Sequence, residues 1–284
     1  MSKVASPNKT EVANYWNAHV CETDEYWKDV AGFERLNSYS EYTKEYFEAI
    51  EENRYRGQAD IFAFAQFTRY RGKKVLEIGV GAGTDFSQWV RAGAEAYGID
   101  LTEAAIEMTT QRLAQYGLNC RELRVADAEN LPFADGFFDL VYSWGVLHHT
   151  PDTVRSIREA IRITRPGGTI KLMLYNRHSL VGVKYWIQHA LLRGKPFQTI
   201  SKVLCNHMES PGTKAFTPKE IQHILRPLPV ANLRINAAAS AREFGYSQVR
   251  APLGVVKYLI RNLLTVLIGL NKADFFMKIE CDRI

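Results

Sequence analysis

The chain has 284 residues, 46% hydrophobic and 24% charged, with a formal net charge of +5 and a pI near 8.9. That is the composition of a globular protein, long enough for one large core with an appendage, and the mild basicity carries no nucleic-acid signal of its own. Cys21, Cys120, Cys205 and Cys281 are far apart in sequence. They give neither a zinc motif nor a disulfide framework, so no metal is expected and a reducing cytoplasm is the expected compartment. The N-terminus has no apolar leader region, and no uncharged run is long enough to span a bilayer.

Residues 1–10 are polar and expected to fray. Residues 11–70 carry many aromatics among acids, including Tyr15, Trp16, Tyr26, Trp27, Tyr46, Phe47 and Tyr55. Tyr46, Ala49 and Ile50 predict an amphipathic helix reaching toward Arg54, and Ile61, Phe62, Phe64 and Ala65 predict a second over Gln58–Phe67. Residues 1–70 are therefore expected to form a helical extension. Its aromatics either pack as core or act as a lid over an acceptor pocket.

From residue 74 the pattern turns to alternating strands and helices. Val75, Leu76 and Ile78 form a short β-rich run ending on Gly79, then come Gly81 and Gly83, then Phe86, Trp89 and Val90 at helical spacing. This predicts strand, glycine turn and helix, a corner where a ligand can lie against bare backbone near a helix N-terminus. Further strands are predicted at Ala96–Asp100, Cys120–Ala126, Phe138–Ser143 and Thr169–Tyr175. A helix capped by Thr102 runs to about Tyr116, and another starts at Thr150 as N-cap with Pro151 in its first position. Arg165-Pro-Gly-Gly168 predicts a turn. Alternation of this kind makes a doubly wound, mostly parallel α/β sheet.

A helical insertion is expected over about 176–230. Trp186, Ile187, Ala190 and Leu191 suggest one helix, Ile200, Val203 and Leu204 another, and Thr217-Pro218-Lys219-Glu220 a capping box opening a third. Strands six and seven are predicted at Leu233–Ala239 and Asp274–Glu280. Between them Leu253, Val256, Ile260, Leu263, Leu267 and Leu270 recur at three and four residues, an amphipathic helix near 253–270. Three placements for it stay open: packing on the sheet, a homodimer seam, and docking to a membrane or long-chain acceptor.

The glycine spacing is informative. A dinucleotide fingerprint needs Gly-x-Gly-x-x-Gly. Here the third glycine falls one place early, at Gly83, and Thr84 stands where that fingerprint has Gly or Ala. Asp100 closes strand two and can accept from ribose hydroxyls; Asp127, after strand three, can accept from an adenine amino group. Each could equally be a helix cap or a loop residue.

The stretches Val75–Asp85, Gly98–Leu101, Asp127–Phe133 and Phe138–Asp152, with Arg165–Gly168, resemble successive motifs of class I S-adenosylmethionine-dependent methyltransferases, and within them the methyltransferase type 11 family. The resemblance covers roughly residues 70–175. It implies a seven-stranded Rossmann-like fold, S-adenosylmethionine as methyl donor and S-adenosylhomocysteine as product. It also implies that Glu77 orders the glycine turn and the methionine amino group, and that Gly79, Gly81 and Gly83 lie against the cofactor. Asp100 would hold the ribose with Leu101 beside the adenine, Asp127 and Ala128 would meet the adenine, and Ser143 would lie near the methionine end. The family leaves the acceptor open, so a small-molecule or lipid-like metabolite is expected. The rivals are a non-catalytic adenosylmethionine-binding protein and, against the glycine spacing, a nicotinamide-dependent oxidoreductase.

His148 and His149 follow strand four on the edge where open α/β sheets bind ligands. The pair either orders the loop and caps the next helix, or His149 serves as proton acceptor. Arg177, Lys184, Arg193, Lys195, Lys202 and Lys214 make the 176–214 stretch basic. They either pair with Glu41, Glu45, Glu48, Glu51 and Glu52 or attract an anionic acceptor or phospholipid surface. Stacking aromatics are not interleaved in the manner of an RNA-binding surface, so no nucleic-acid partner is expected.

Overall fold

The computed structural model describes residues 8–21, 23, 36–238, 263 and 274–284. Seven strands form one sheet: β1 (Lys74–Ile78), β2 (Glu95–Asp100), β3 (Glu122–Val125), β4 (Phe138–Trp144), β5 (Thr164–Tyr175), β6 (Val230–Asn236) and β7 (Phe276–Arg283). Their order is β3-β2-β1-β4-β5-β7-β6. The pairs among β1 to β5 are parallel, and β7 runs antiparallel to both β5 and β6. The chain reverses direction across the sheet between β1 and β4, and this places a crevice at the carboxyl ends of those two strands.

Side-chain alternation sorts the sheet into two cores. On one face Val75, Tyr142, Trp144 and Met173 pack with Phe67, Phe86 and Trp89. On the other, Leu76, Ile78, Val141 and Leu172 pack with Ile157, Ile161, Ile221 and Leu225. Helices α4 (Thr84–Arg91), α5 (Glu103–Gln115) and α6 (Thr153–Ile163) connect the parallel strands. Thr102 caps α5 as predicted, its hydroxyl accepting from the Ala105 amide.

The extension contributes α1 (Lys9–Ala18), α2 (Lys44–Gly57) and the short α3 (Asp60–Ala65). The N-terminus is ordered further than its polarity suggested: Asn8 and Glu11 form a capping box that starts α1 at Lys9. Residues 1–7 lie outside the described residues. The helix predicted over Gln58–Phe67 divides at Gln66, whose left-handed backbone ends α3 and starts a 3-10 turn over Phe67–Tyr70. Lys171, wholly buried in β5, donates to the Phe64 carbonyl at 2.7 Å and to Gln66 Oε1 at 2.8 Å, which satisfies this helix end. Burial pulls the Lys171 ammonium down to about 8.

Three expectations need correction. Asp152, and not Thr150, is the N-cap of α6, its carboxylate accepting from the Arg155 amide. Thr150 instead donates its hydroxyl to the Leu147 carbonyl and closes the 3-10 turn Leu147–His149. Second, β5 begins at Thr164: Phe138 pairs with Thr164 and Leu140 with Thr169, so residues 165–168 form an irregularity inside the strand. Third, the basic stretch does not hold the N-terminal acids. Glu51 binds Arg91 and Arg112, Glu48 binds Lys44, and Glu52 binds Arg56. Arg177 pairs with Glu220 at 2.6 Å within the insertion. The insertion itself contains α7 (Leu180–His189), α8 (Ile200–His207) and α9 (Pro218–Leu225), the last with the predicted capping box at Thr217 and Glu220.

Strand β6 starts three residues before its predicted position, and β7 ends three residues after. The helix predicted near 253–270 lies outside the described residues apart from Leu263, which is helical and exposed. Among the described residues no helix is long and apolar enough to cross a membrane.

Candidate functional site

The glycine turn between β1 and α4 is held from below by α5. Thr109 Oγ1 donates to the Gly81 carbonyl at 3.1 Å, and the buried Arg112 donates through Nε to the Ala82 carbonyl at 2.7 Å. Gly79 and Gly81 both have positive φ, 81° and 53°. A Cβ on Gly79 would fall 2.2 Å from Val146 Cγ2, whereas one on Gly81 would meet only Cys21 Cβ at 3.5 Å and project into a cleft. The turn therefore leaves bare backbone facing that cleft at Gly81.

Predicted residues converge on the cleft. Glu77, Gly79, Gly81, Asp100, Leu101, Asp127, Ala128 and His149 all line it. Gly83 and Ser143 do not: Gly83 is the N-cap of α4, and the buried Ser143 hydroxyl turns back to donate to the Ile78 carbonyl at 3.0 Å. Trp144, Gly145 and Val146 supply the wall beyond β4.

Asp100 sits at the β2 end. Its Oδ2 accepts from the Gly81 amide at 3.1 Å, and its Oδ1 from the Thr102 amide and hydroxyl at 3.0 and 2.9 Å. The carboxylate is thus fixed against the glycine turn with acceptor capacity left toward the cleft. Burial raises its pKa, opposed by these hydrogen bonds, first among them that of Gly81. Glu77 is 3% exposed, and its Oε2 has no hydrogen-bond partner among the described residues. Burial first, then the nearby Asp85, holds its carboxyl well above the ordinary range, while Arg54 pulls the other way.

Arg54 and Asp85 were not picked out as site residues by the sequence. Arg54 reaches from α2 to Asp85 in a bidentate pair, Nε to Oδ1 at 2.9 Å and Nη2 to Oδ2 at 2.5 Å. Tyr55 and Tyr142 hydroxyls donate to the same carboxylate at 3.0 and 2.9 Å. This buried network fastens the N-terminal extension to the first turn of α4, and both charged partners line the cleft.

Helix α1 lies across the opening. Lys9 Nζ reaches Asp127 Oδ2 at 2.5 Å and Glu129 Oε2 at 2.8 Å. The Ala104 amide donates to Asn17 Oδ1 at 3.4 Å, and Trp16 packs edge-on against His149 with centroids 5.0 Å apart.

His149 joins the insertion to the cleft. Its Nδ1 lies 2.8 Å from Ser210 Oγ and 3.1 Å from Thr213 Oγ1. Its Nε2 lies 3.2 Å from Glu209 Oε2. The Tyr175 hydroxyl donates to both oxygens of Glu209, at 3.0 and 2.9 Å. Glu209 adopts φ 50°, a left-handed conformation strained for a side chain of this kind. His148 is fully buried beneath, its ring 3.8 Å from that of Tyr175, and burial followed by the neighbouring His149 holds its pKa well below the ordinary value. His148, His149 and Glu209 are grouped closely enough to offer three donor atoms within 4.8 Å of one another.

Residues 76–172 match the family model described as a methyltransferase domain. The ubiquinone biosynthesis O-methyltransferase of Methylococcus capsulatus is 28% identical over 127 residues, 43% of this chain and 54% of that protein. The chloroplastic tocopherol O-methyltransferase of Arabidopsis thaliana is 34% identical over 111 residues, 38% of this chain and 32% of that one. The chain spans about half the length, or less, of these curated relatives. Among solved structures, geranyl diphosphate C-methyltransferase from Streptomyces coelicolor, in complex with Mg2+, geranyl diphosphate and S-adenosylhomocysteine, is similar over 99% of both chains, with TM-score 0.62 and 15% identity. That likeness is one of fold.

Proposed function

We propose that this chain, which carries a class I S-adenosylmethionine-dependent methyltransferase domain, transfers a methyl group from S-adenosylmethionine to the oxygen or carbon of a small acceptor with an apolar body. The observation that carries the reading is the Gly81–Asp100 bond, which sets a bare glycine turn and a strand-end carboxylate side by side in one cleft. The cleft fits the cofactor on three counts: a cradle that a Cβ on Gly81 would fill, the unpartnered Glu77 Oε2, and carboxylates at the ends of β2 and β3.

Asp100 would hold the ribose, Asp127 and Ala128 the adenine edge, and Glu77 the methionine ammonium, with Gly79 and Gly81 against the chain of the ligand. When bound, the cofactor supplies a sulfonium-activated methyl group. The protein's part is alignment and exclusion of water. Trp16, Trp144 and Val146 give the far end of the cleft its apolar character.

His149 faces that end, and the Glu209 carboxylate beside Nε2 completes a pair that can take one proton. Ser210 and Thr213 fix the ring, and Tyr175 fixes the carboxylate. His149 and Glu209 would take the acceptor's O–H or C–H proton, while the bound cofactor would supply the methyl group, keep the S–CH3 electron pair on sulfur and leave as S-adenosylhomocysteine. An amine acceptor would need no His149–Glu209 pair, which is why an oxygen or carbon acid is preferred. The O-methyltransferase names of the curated relatives support the same class.

Residues 1–70 serve in this reading as the lid, with 71–284 as the methyltransferase domain. Lys9 and Trp16 tie α1 to both ends of the cleft. Amide hydrogen exchange in Lys9–Ala18 is expected to slow when S-adenosylhomocysteine binds; equal exchange with and without it would remove the lid.

Asp100→Ala tests the cofactor assignment. Loss of charge-assisted hydrogen bonds to the ribose predicts a penalty of about 2–4 kcal/mol, roughly 30- to 1,000-fold in affinity for S-adenosylhomocysteine by calorimetry. A folded variant with wild-type affinity would overturn the assignment.

A further inference from the structure

The connection between α7 and α8 is shaped in a way the cleft does not explain. Phe197 is 98% exposed, Leu192 75% and Leu191 45%. Apolar side chains scattered singly over a surface need no account, but here three fall within 191–197, on one hairpin tip. The tip is not a slack loop. Ala190 is fully buried at its base, and the Lys195 amide donates to the Ala190 carbonyl at 2.9 Å. The Trp186 indole N–H donates to the Gln198 carbonyl at 2.7 Å. Gly194 takes φ 69° to turn the chain between the apolar positions. The backbone is thus pinned while Leu192 and Phe197 stand out into solvent.

The charge around the tip has one sign. Lys184, Arg193, Lys195 and Lys202 are exposed, and no Asp or Glu occurs from Arg177 to Met208. An apolar tip ringed by cations is complementary to the surface of an anionic lipid bilayer. The acyl boundary takes Leu and Phe, while Lys and Arg stems extend along it and place their charges among phosphates. A second copy of this chain would need an acidic patch to neutralise the same ring.

The helices that carry the hairpin are joined to the core behind the acceptor end of the cleft. Val181, Tyr185 and Ile200 pack against the core cluster that contains Tyr175, whose hydroxyl holds Glu209. We propose that the 190–198 tip is a membrane-docking site for anionic phospholipid, which seats the cleft's acceptor end against a bilayer. The proposal goes beyond the acceptor chemistry above and is read without turnover, so its failure leaves the methyltransferase reading standing.

The test is co-sedimentation of the purified full chain with vesicles of phosphatidylcholine alone and of phosphatidylglycerol mixed with phosphatidylcholine. The expected result is binding to the mixed vesicles at least tenfold stronger than to phosphatidylcholine. Binding is expected to be lost at about 1 M salt, where charges are screened beyond about 3 Å. The double variant Leu192→Glu, Phe197→Glu and the triple variant Arg193→Gln, Lys195→Gln, Lys202→Gln should each lose at least tenfold in vesicle binding. Their affinity for S-adenosylhomocysteine should stay at the wild-type level, which also shows that they are folded. Binding that ignores lipid charge, binding unchanged in both variants, or no binding to either vesicle would overturn the proposal. So would concentration-dependent dimerisation by light scattering that the Leu192→Glu, Phe197→Glu variant abolishes, since the tip would then be a seam between copies.

Discussion

Replacement of Gly81 by valine is expected to abolish binding of S-adenosylhomocysteine in a protein that still folds. The two halves of that outcome have separate causes. The side chain would meet little protein, since its Cβ comes no closer than 3.5 Å to Cys21. The positive φ of 53° strains a β-branched residue, at a cost of roughly 1–3 kcal/mol, within reach of a stable domain. The rest of the valine then occupies the space where ligand and backbone approach. Gly79 offers no such clean test, because a Cβ there would overlap Val146 at 2.2 Å and disturb the fold itself. Thermal unfolding and calorimetry on Gly81→Val check the two halves; a folded variant with normal affinity would reduce the turn to a structural corner.

Removal of the His149 imidazole is expected to lower kcat by about 10²- to 10⁴-fold on an acceptor that the wild-type protein methylates, the range for loss of a positioned proton acceptor. Affinity for S-adenosylhomocysteine should change little in His149→Ala, because the ring faces the acceptor end of the cleft. Glu209→Gln keeps the size of the side chain but cannot share the proton as a carboxylate does. It is expected to lower kcat while leaving KM for the cofactor near its wild-type value. A Glu209→Gln protein with an unchanged rate would show that Glu209 only ties the insertion to β5. His149→Ala with full turnover would leave the chemistry to alignment alone.

The parts of this site that were legible in the sequence are local. The run Val75 to Ile78, the glycines and the helical spacing of Phe86 and Trp89 lie within sixteen residues of one another, so propensity and period read them together. Strand-end acids were equally legible, because βα units place Asp100 and Asp127 on the same sheet edge whatever the tertiary detail. The remainder depends on meetings across long separations. Arg54 finds Asp85 across 31 positions and Tyr142 finds it across 57, and no local pattern announces either. Ser210 lies 61 positions from His149. Its neighbour Glu209 is the first acid after a long basic stretch, which the sequence marked by charge without indicating where it pointed. The error at Thr150 has a local cause. Thr150-Pro151-Asp152 holds two capping residues in succession, and the 3-10 turn at Leu147–His149 claims the first hydroxyl, so the helix begins two residues later. Ser143 lies one residue before the end of β4, and the sequence does not indicate that its hydroxyl turns back to the Ile78 carbonyl.

The central claim, that this cleft is built for S-adenosylmethionine, is tested most directly by isothermal calorimetry of the wild-type chain with S-adenosylhomocysteine and with NAD. The early third glycine and the carboxylate bound to the Gly81 amide predict saturable binding of S-adenosylhomocysteine at one per chain and no heat from NAD. Saturable binding of NAD without binding of S-adenosylhomocysteine would contradict the account and return the cleft to the dinucleotide class.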